Sequence, residues 1–146
     1  LLCLADSFRP LGPEGPVDVV ALQVVTSGDA AATVVARLQA EGKFTEAYYV
    51  HGFAVQVAEA TAEWLNRRIR RELGLEEPRG LRYSWGYPAC PDLAQHRILF
   101  QILPVESTIG VRLTVADQLD PEQSTAALVV HHPAAKYFRA EPARVG

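Results

Sequence analysis

The chain has 146 residues, enough for one domain with a single buried core. Hydrophobic residues make up 49% and charged residues 21%, with a net charge of −3, which gives no electrostatic basis for holding nucleic acid or an anionic membrane. No apolar run approaches the ~20 residues that span a bilayer. The first residues lack the basic region of a signal peptide, and Cys3 and Cys90 belong to no CxxC pair. These features predict reduced thiols and a cytoplasmic location. Methionine is absent throughout, position 1 included, so a piece of a longer polypeptide is expected.

Residues 9–16 hold two glycines and three prolines and predict a loop. Residues 17–26 are β-branched and almost continuously apolar, the pattern of a central strand covered on both faces. Residues 30–41 predict a helix with Val34, Val35 and Leu38 inward, closed by Gly42. A long helix is expected over 45–73. Ala47, Val50, Ala54, Val57, Ala58, Thr61, Leu65 and Ile69 would form its inner face, and Gly74 its end. The arginines at 67, 68, 70 and 71 suit the negative end of the helix dipole and read as a solvated cluster.

Residues 74–91 are punctuated by proline and glycine and read as loop. Asp92 can cap a helix over 93–103, with Ile98, Leu99 and Ile102 inward and Pro104 as its stop. Residues 111–115 and 126–131 predict short strands. The fold class is therefore α+β, helices packed around a mainly antiparallel twisted sheet. Adjacent strand residues point to opposite faces, so His131 and His132 do not form a metal pair. His96 is expected on a helix surface, and His51 has no evident partner.

The segment from Arg82 to Asp92 (RYSWGYPACPD) concentrates the chemistry. Prolines stiffen it, glycine permits close approach, an arginine can grip a carboxylate through two parallel hydrogen bonds, and aromatic edges can flank a flat ring. Rigid loops also hold packed aromatics without binding anything. Taken alone, Glu59 reads as a surface charge, Arg82 as a salt-bridging residue and Tyr137 as packing.

Gly86-Tyr87-Pro88-Ala89-Cys90-Pro91-Asp92, with Arg82 before it, resembles the RxxxGYPACP signature of the activation domain of cobalamin-dependent methionine synthase. Leu4-Ala5-Asp6 with residues 18–28, the helix segment from Ala58 to Leu65, and His132-Pro133-Ala134-Ala135-Lys136-Tyr137-Phe138 are similar to that family in order and spacing. The resemblance covers residues 1–140, as the C-terminal part of the activation domain, and leaves 141–146 as a tail.

The resemblance implies a module that binds S-adenosylmethionine and positions it for reductive methylation of oxidised cobalamin. Cobalamin, and also zinc, would be bound by other domains of the parent methyltransferase. The implied partners are the cobalamin-binding domain of the same polypeptide and flavodoxin or an equivalent reductase. By the same match Arg82 holds the ligand carboxylate, Glu59 lies near the ribose, and Ser84 contacts the ligand through its backbone. Tyr137 lines the groove, and Tyr87 faces cobalamin.

The family's module is longer and begins with a helical segment carrying an acidic ligand to the amino group, which has no counterpart here. Glu122 and Gln123 replace smaller residues and are expected to alter access to the groove. A stand-alone docking module of the same fold is the alternative, discriminated by whether a cobalamin-binding DxHxxG pattern lies upstream. A cysteine or histidine hydrolase is disfavoured, since no histidine lies close in sequence to Cys90.

Overall fold

The computed structural model describes residues 3–10, 12–13, 18–75 and 81–140. The expected tail at 141–146 and parts of the expected loops at 9–16 and 74–91 lie outside the described residues.

After a 3-10 turn, Leu4–Ser7, come strand β1 (Ala21–Thr26), helix α1 (Asp29–Ala40) and the long helix α2 (Phe44–Glu72). Strand β2 (Leu81–Ser84) follows, then a second 3-10 turn (Leu93–Gln95), α3 (His96–Ile102) and α4 (Val105–Ile109). The chain continues through β3 (Arg112–Leu113), β4 (Leu119–Asp120) and β5 (Ser124–Val130). The main sheet is antiparallel in the order β1-β5-β2, and β3 and β4 form a separate short hairpin. The α+β expectation therefore holds.

Both long helices end as their glycines predict. Gly42 and Gly74 take φ of +75° and +67°. Lys43 N–H bonds Leu38 O at 2.8 Å and Leu75 N–H bonds Arg70 O at 2.9 Å, the 6→1 bonds of a left-handed helix end.

The centre of the sheet is β5, not β1. Residue pairing puts β1 on one edge and β2 on the other. The apolar run at 17–26 also reaches beyond its strand: Val19 and Val20 precede β1 and are exposed, while Val17 lies outside the described residues. Ala126, Ala127, Val129 and Val130 of β5 are buried, as a strand flanked on both sides requires.

Alternation sorts the sheet into two faces. Leu22, Val24, Ala126 and Leu128 join Trp85, Cys90, Leu93, Leu99 and Phe100 in one apolar cluster. The opposite face carries Gln23, which donates to the Ala62 carbonyl of α2 at 3.3 Å. There α2 lies on β1 and β5 along a row of small side chains.

That row matches the expected stripe at Ala47, Ala54 and Ala58 and departs from it toward the helix end. The buried positions of α2 are Ala47, Ala54, Ala58, Ala62, Asn66 and Arg70, whereas Val57 and Thr61 are exposed. Close approach of helix to sheet selects the alanines over the larger β-branched residues. It also draws Arg70 inward, out of the cluster expected to be solvated. Tyr49, Phe53 and Trp64 are left exposed.

The 93–103 helix is shorter and turned. Leu99 and His96 are buried, while Ile98 and Ile102 face solvent. The helix stops before Pro104 as expected, with Leu103 extended, and Pro104 then serves as the N-cap of α4.

Candidate functional site

The stretch read as loop contains β2, and this strand places the chemistry. Arg82 and Ser84 pair in register with Val129 and Ala127, on the face that carries α2. Tyr83 pairs with Leu128 and is buried. Alternation thus aims Arg82 toward Glu59 of α2, where Nη2 donates to Oε2 at 2.8 Å. The arginine side chain is 18% exposed and the glutamate 40%.

A tight turn follows β2. Gly86 N–H bonds Cys90 O and Cys90 N–H bonds Tyr87 O, each at 2.9 Å. Gly86 has φ of +84°, a backbone conformation that favours glycine, and a methyl group there would lie 3.1 Å from Leu93 Cδ2, which would have to shift slightly. The turn is anchored from below by Trp85, whose Nε1 donates to Gln95 Oε1 at 3.1 Å. The Cys90 thiol contacts the same oxygen at 3.6 Å. Burial, with Asp92 nearby, pushes that thiol's pKa up, and Cys90 packs within the apolar cluster.

His96 belongs to this anchor rather than to the surface. Its Nδ1 donates to the Asp117 carbonyl at 2.8 Å, and its ring meets Trp85 edge-on at 5.3 Å.

The third wall is the extended segment after β5. Tyr83 Oη donates to Lys136 O at 2.7 Å, Tyr137 Oη to Arg82 O at 3.2 Å, and Ala140 N–H to Pro88 O at 2.7 Å. The Tyr83 and Tyr137 rings lie 5.4 Å apart. Desolvation, with Tyr137 beside it, raises the Tyr83 pKa. Because Tyr137 reaches the Arg82 carbonyl from outside the sheet, Arg82 presents its backbone polar groups away from β5. Ser84, two residues on, does the same.

Glu59, Arg82, Ser84, Tyr87 and Tyr137, the five residues singled out from the sequence, line one cavity of about 520 Å³. Tyr83, Pro88, Ala89 and Phe138 complete it. Tyr87 stands at the mouth, 64% exposed. A second groove, about 590 Å³, begins at Glu59, Ser84 and Tyr87 and extends toward the β3–β4 hairpin.

Phe138 and Tyr83 were missed as lining residues. The strand alternation that locates Tyr83 was hidden in a stretch read as loop. Of the two residues expected to alter access, neither Glu122 nor Gln123 lines this cavity, while Glu122 lines the second groove. Gln123 is buried and donates to His51 Nδ1 at 3.2 Å, which gives His51 its partner. His131 closes the strand end: its Nε2 donates to Asp18 Oδ1 at 2.8 Å and to Val19 O at 3.1 Å. Among the described residues no group of His, Cys, Asp and Glu is arranged to hold a metal ion.

Residues 1–144 match the family model described as vitamin B12 dependent methionine synthase, activation domain. The chain belongs to this family. The activation domain here is 41% identical to methionine synthases of Mycobacterium tuberculosis and Mycobacterium leprae, each match covering 94% of the chain. It spans 13% of the length of those relatives. It also matches a crystal structure of the MetH reactivation domain bound to AdoHcy, with a TM-score of 0.83 and 28% identity. That match covers 94% of this chain and 46% of the solved one.

Proposed function

We propose that this activation domain binds S-adenosylmethionine in the Arg82 cavity and holds its methyl group toward a cobalamin carried elsewhere in a methionine synthase. The observation that carries the reading is the convergence of Glu59, Arg82, Ser84 and Tyr137 on one cavity. The MetH reactivation domain of the same fold was crystallised with AdoHcy, which has the same adenosyl and amino-acid parts. Family membership favours this role over a docking module without such chemistry.

The donor set fits the ligand part by part. The Arg82 guanidinium matches a carboxylate in charge and in the spacing of its donors. Glu59 can accept from two ribose hydroxyls. The outward polar groups of Ser84 offer an adenine edge a donor and an acceptor that need no particular side chain, so serine suits this position as well as alanine. Tyr137 and Phe138 supply apolar faces for a planar base. Tyr87, exposed at the mouth, is placed to meet the corrin.

Bound cobalamin supplies the metal that accepts the methyl group. The domain contributes a fixed distance and orientation between donor and acceptor, and exclusion of water by the aromatic wall. The remaining assignments are a cobalamin-binding domain on the same polypeptide, an electron from flavodoxin or an equivalent reductase, and a cytoplasmic location. No nucleic-acid or membrane partner is assigned. No helix among the described residues is long and apolar enough to cross a membrane.

Calorimetric titration of S-adenosylmethionine into the complete natural polypeptide tests the reading. Binding is expected, and R82A should weaken it roughly ten- to a hundredfold, the worth of one charge-assisted hydrogen-bonded contact. No binding, or binding indifferent to R82A, rejects the ligand assignment.

A further inference from the structure

The guanidinium that would grip the ligand already has a carboxylate on it. Arg82 Nη2 holds Glu59 Oε2 at 2.8 Å inside the cavity. A two-pronged grip on an incoming carboxylate needs parallel donors. A second carboxylate beside the first would also place two like charges within a few ångströms in a partly desolvated site. The two anions therefore compete for Arg82.

The partners are not equally free to yield. Arg82 is 18% exposed, and it sits within a strand paired to β5 while its own carbonyl is held by Tyr137 on the outer side. Glu59 is 40% exposed at the middle of a 29-residue helix, and its side chain can swing toward solvent without moving any backbone. Displacement thus moves the glutamate and leaves the arginine in place.

We infer that Glu59 is a specificity-determining residue that acts as an exchangeable counter-ion. It keeps Arg82 extended across the cavity and gives way only to a ligand that brings its own carboxylate. This rests on the adenosylmethionine reading above. Glu59 sets how much the amino-acid tail adds to affinity, because the tail gains its contact with Arg82 only by breaking an existing ion pair. It also returns to Arg82 as the tail leaves, which speeds release.

The test compares two ligands that share adenosine and a thioether but differ in the tail: S-adenosylhomocysteine and 5′-methylthioadenosine. Their affinities are measured on the complete polypeptide carrying wild-type Glu59, E59Q or E59A. Any loss of folded protein affects both ligands alike, and a ribose contact that residue 59 makes in both complexes cancels, so the affinity ratio reports on the tail. The ratio in favour of S-adenosylhomocysteine should rise about two- to fivefold in both variants, the range for a partly exposed ion pair. The rise should shrink at high salt. An unchanged or reduced ratio overturns the exchange while leaving the ligand assignment standing. If neither ligand binds the wild-type protein, the ligand assignment falls and the exchange with it.

Discussion

From Leu81 to Cys90 the chain carries two kinds of residue in alternation, and they serve different ends. Trp85 and Cys90 point into the apolar cluster and are buried, and Tyr83 is buried while one side of it also meets the cavity. Arg82, Ser84 and Tyr87 line the cavity. A ten-residue motif is thus both frame and site, and neighbouring positions should fail in different ways when changed. The contrast separates two meanings of a conserved-looking signature: some letters are there because the turn must close, others because something must be held.

The sharpest way to break this contrast is at Trp85. W85A removes a large buried ring and its bond to Gln95 and should cost about 3–5 kcal/mol of stability, measured by denaturant unfolding. The fraction that remains folded should bind S-adenosylmethionine with near-normal affinity. Next comes R82A, with the affinity loss given above. Its unfolding free energy should change by no more than about 1 kcal/mol, since it loses a partly exposed ion pair. Equal losses of stability in the two variants would erase the distinction.

G86A should be intermediate, destabilising by about 1–2 kcal/mol through its left-handed backbone and the approach to Leu93. The smallest effect lies at the far end of β5. Backbone N–H groups of Arg9 and Val19, with His131, hold the Asp18 carboxyl below its ordinary pKa. A lowered pKa stabilises the fold above the unfolded value of about 4, and this contribution is lost as pH falls through the folded value. The melting temperature should therefore decline on acidification below about pH 4, and less steeply in D18N.

Helix ends were legible because Gly42 and Gly74 encode a backbone conformation that few other residues adopt. The cavity residues were legible through family resemblance: Arg82 and Tyr87 in the GYPACPD signature and its arginine, Glu59 in the helix segment, and Tyr137 in the stretch after His131. Their placement was not. β2 is only four residues long, and although Leu81-Arg82-Tyr83-Ser84 alternates apolar and polar residues, so short a run beside Gly80, Gly86 and Pro88 does not stand out from a loop. The face of α2 was legible in part. Hydrophobic periodicity picked out Ala47, Ala54 and Ala58 correctly but added Val57 and Thr61, which are exposed, and passed over Ala62, Asn66 and Arg70, which are buried. His96 and Gln123 were unreadable because their burial depends on partners 21 and 72 residues away.

The segment that walls the cavity after β5 is fastened almost wholly through main-chain atoms: the acceptors are the carbonyls of Lys136, Arg82 and Pro88, and the donors two tyrosine hydroxyls and one amide. Side-chain identity at 136 and 139 is therefore free to drift over evolutionary time without loosening the wall, whereas a phenylalanine at 83 or 137 would undo one fastening outright. Changes of charge and bulk on the outside of this strap should leave the pocket behind it in place.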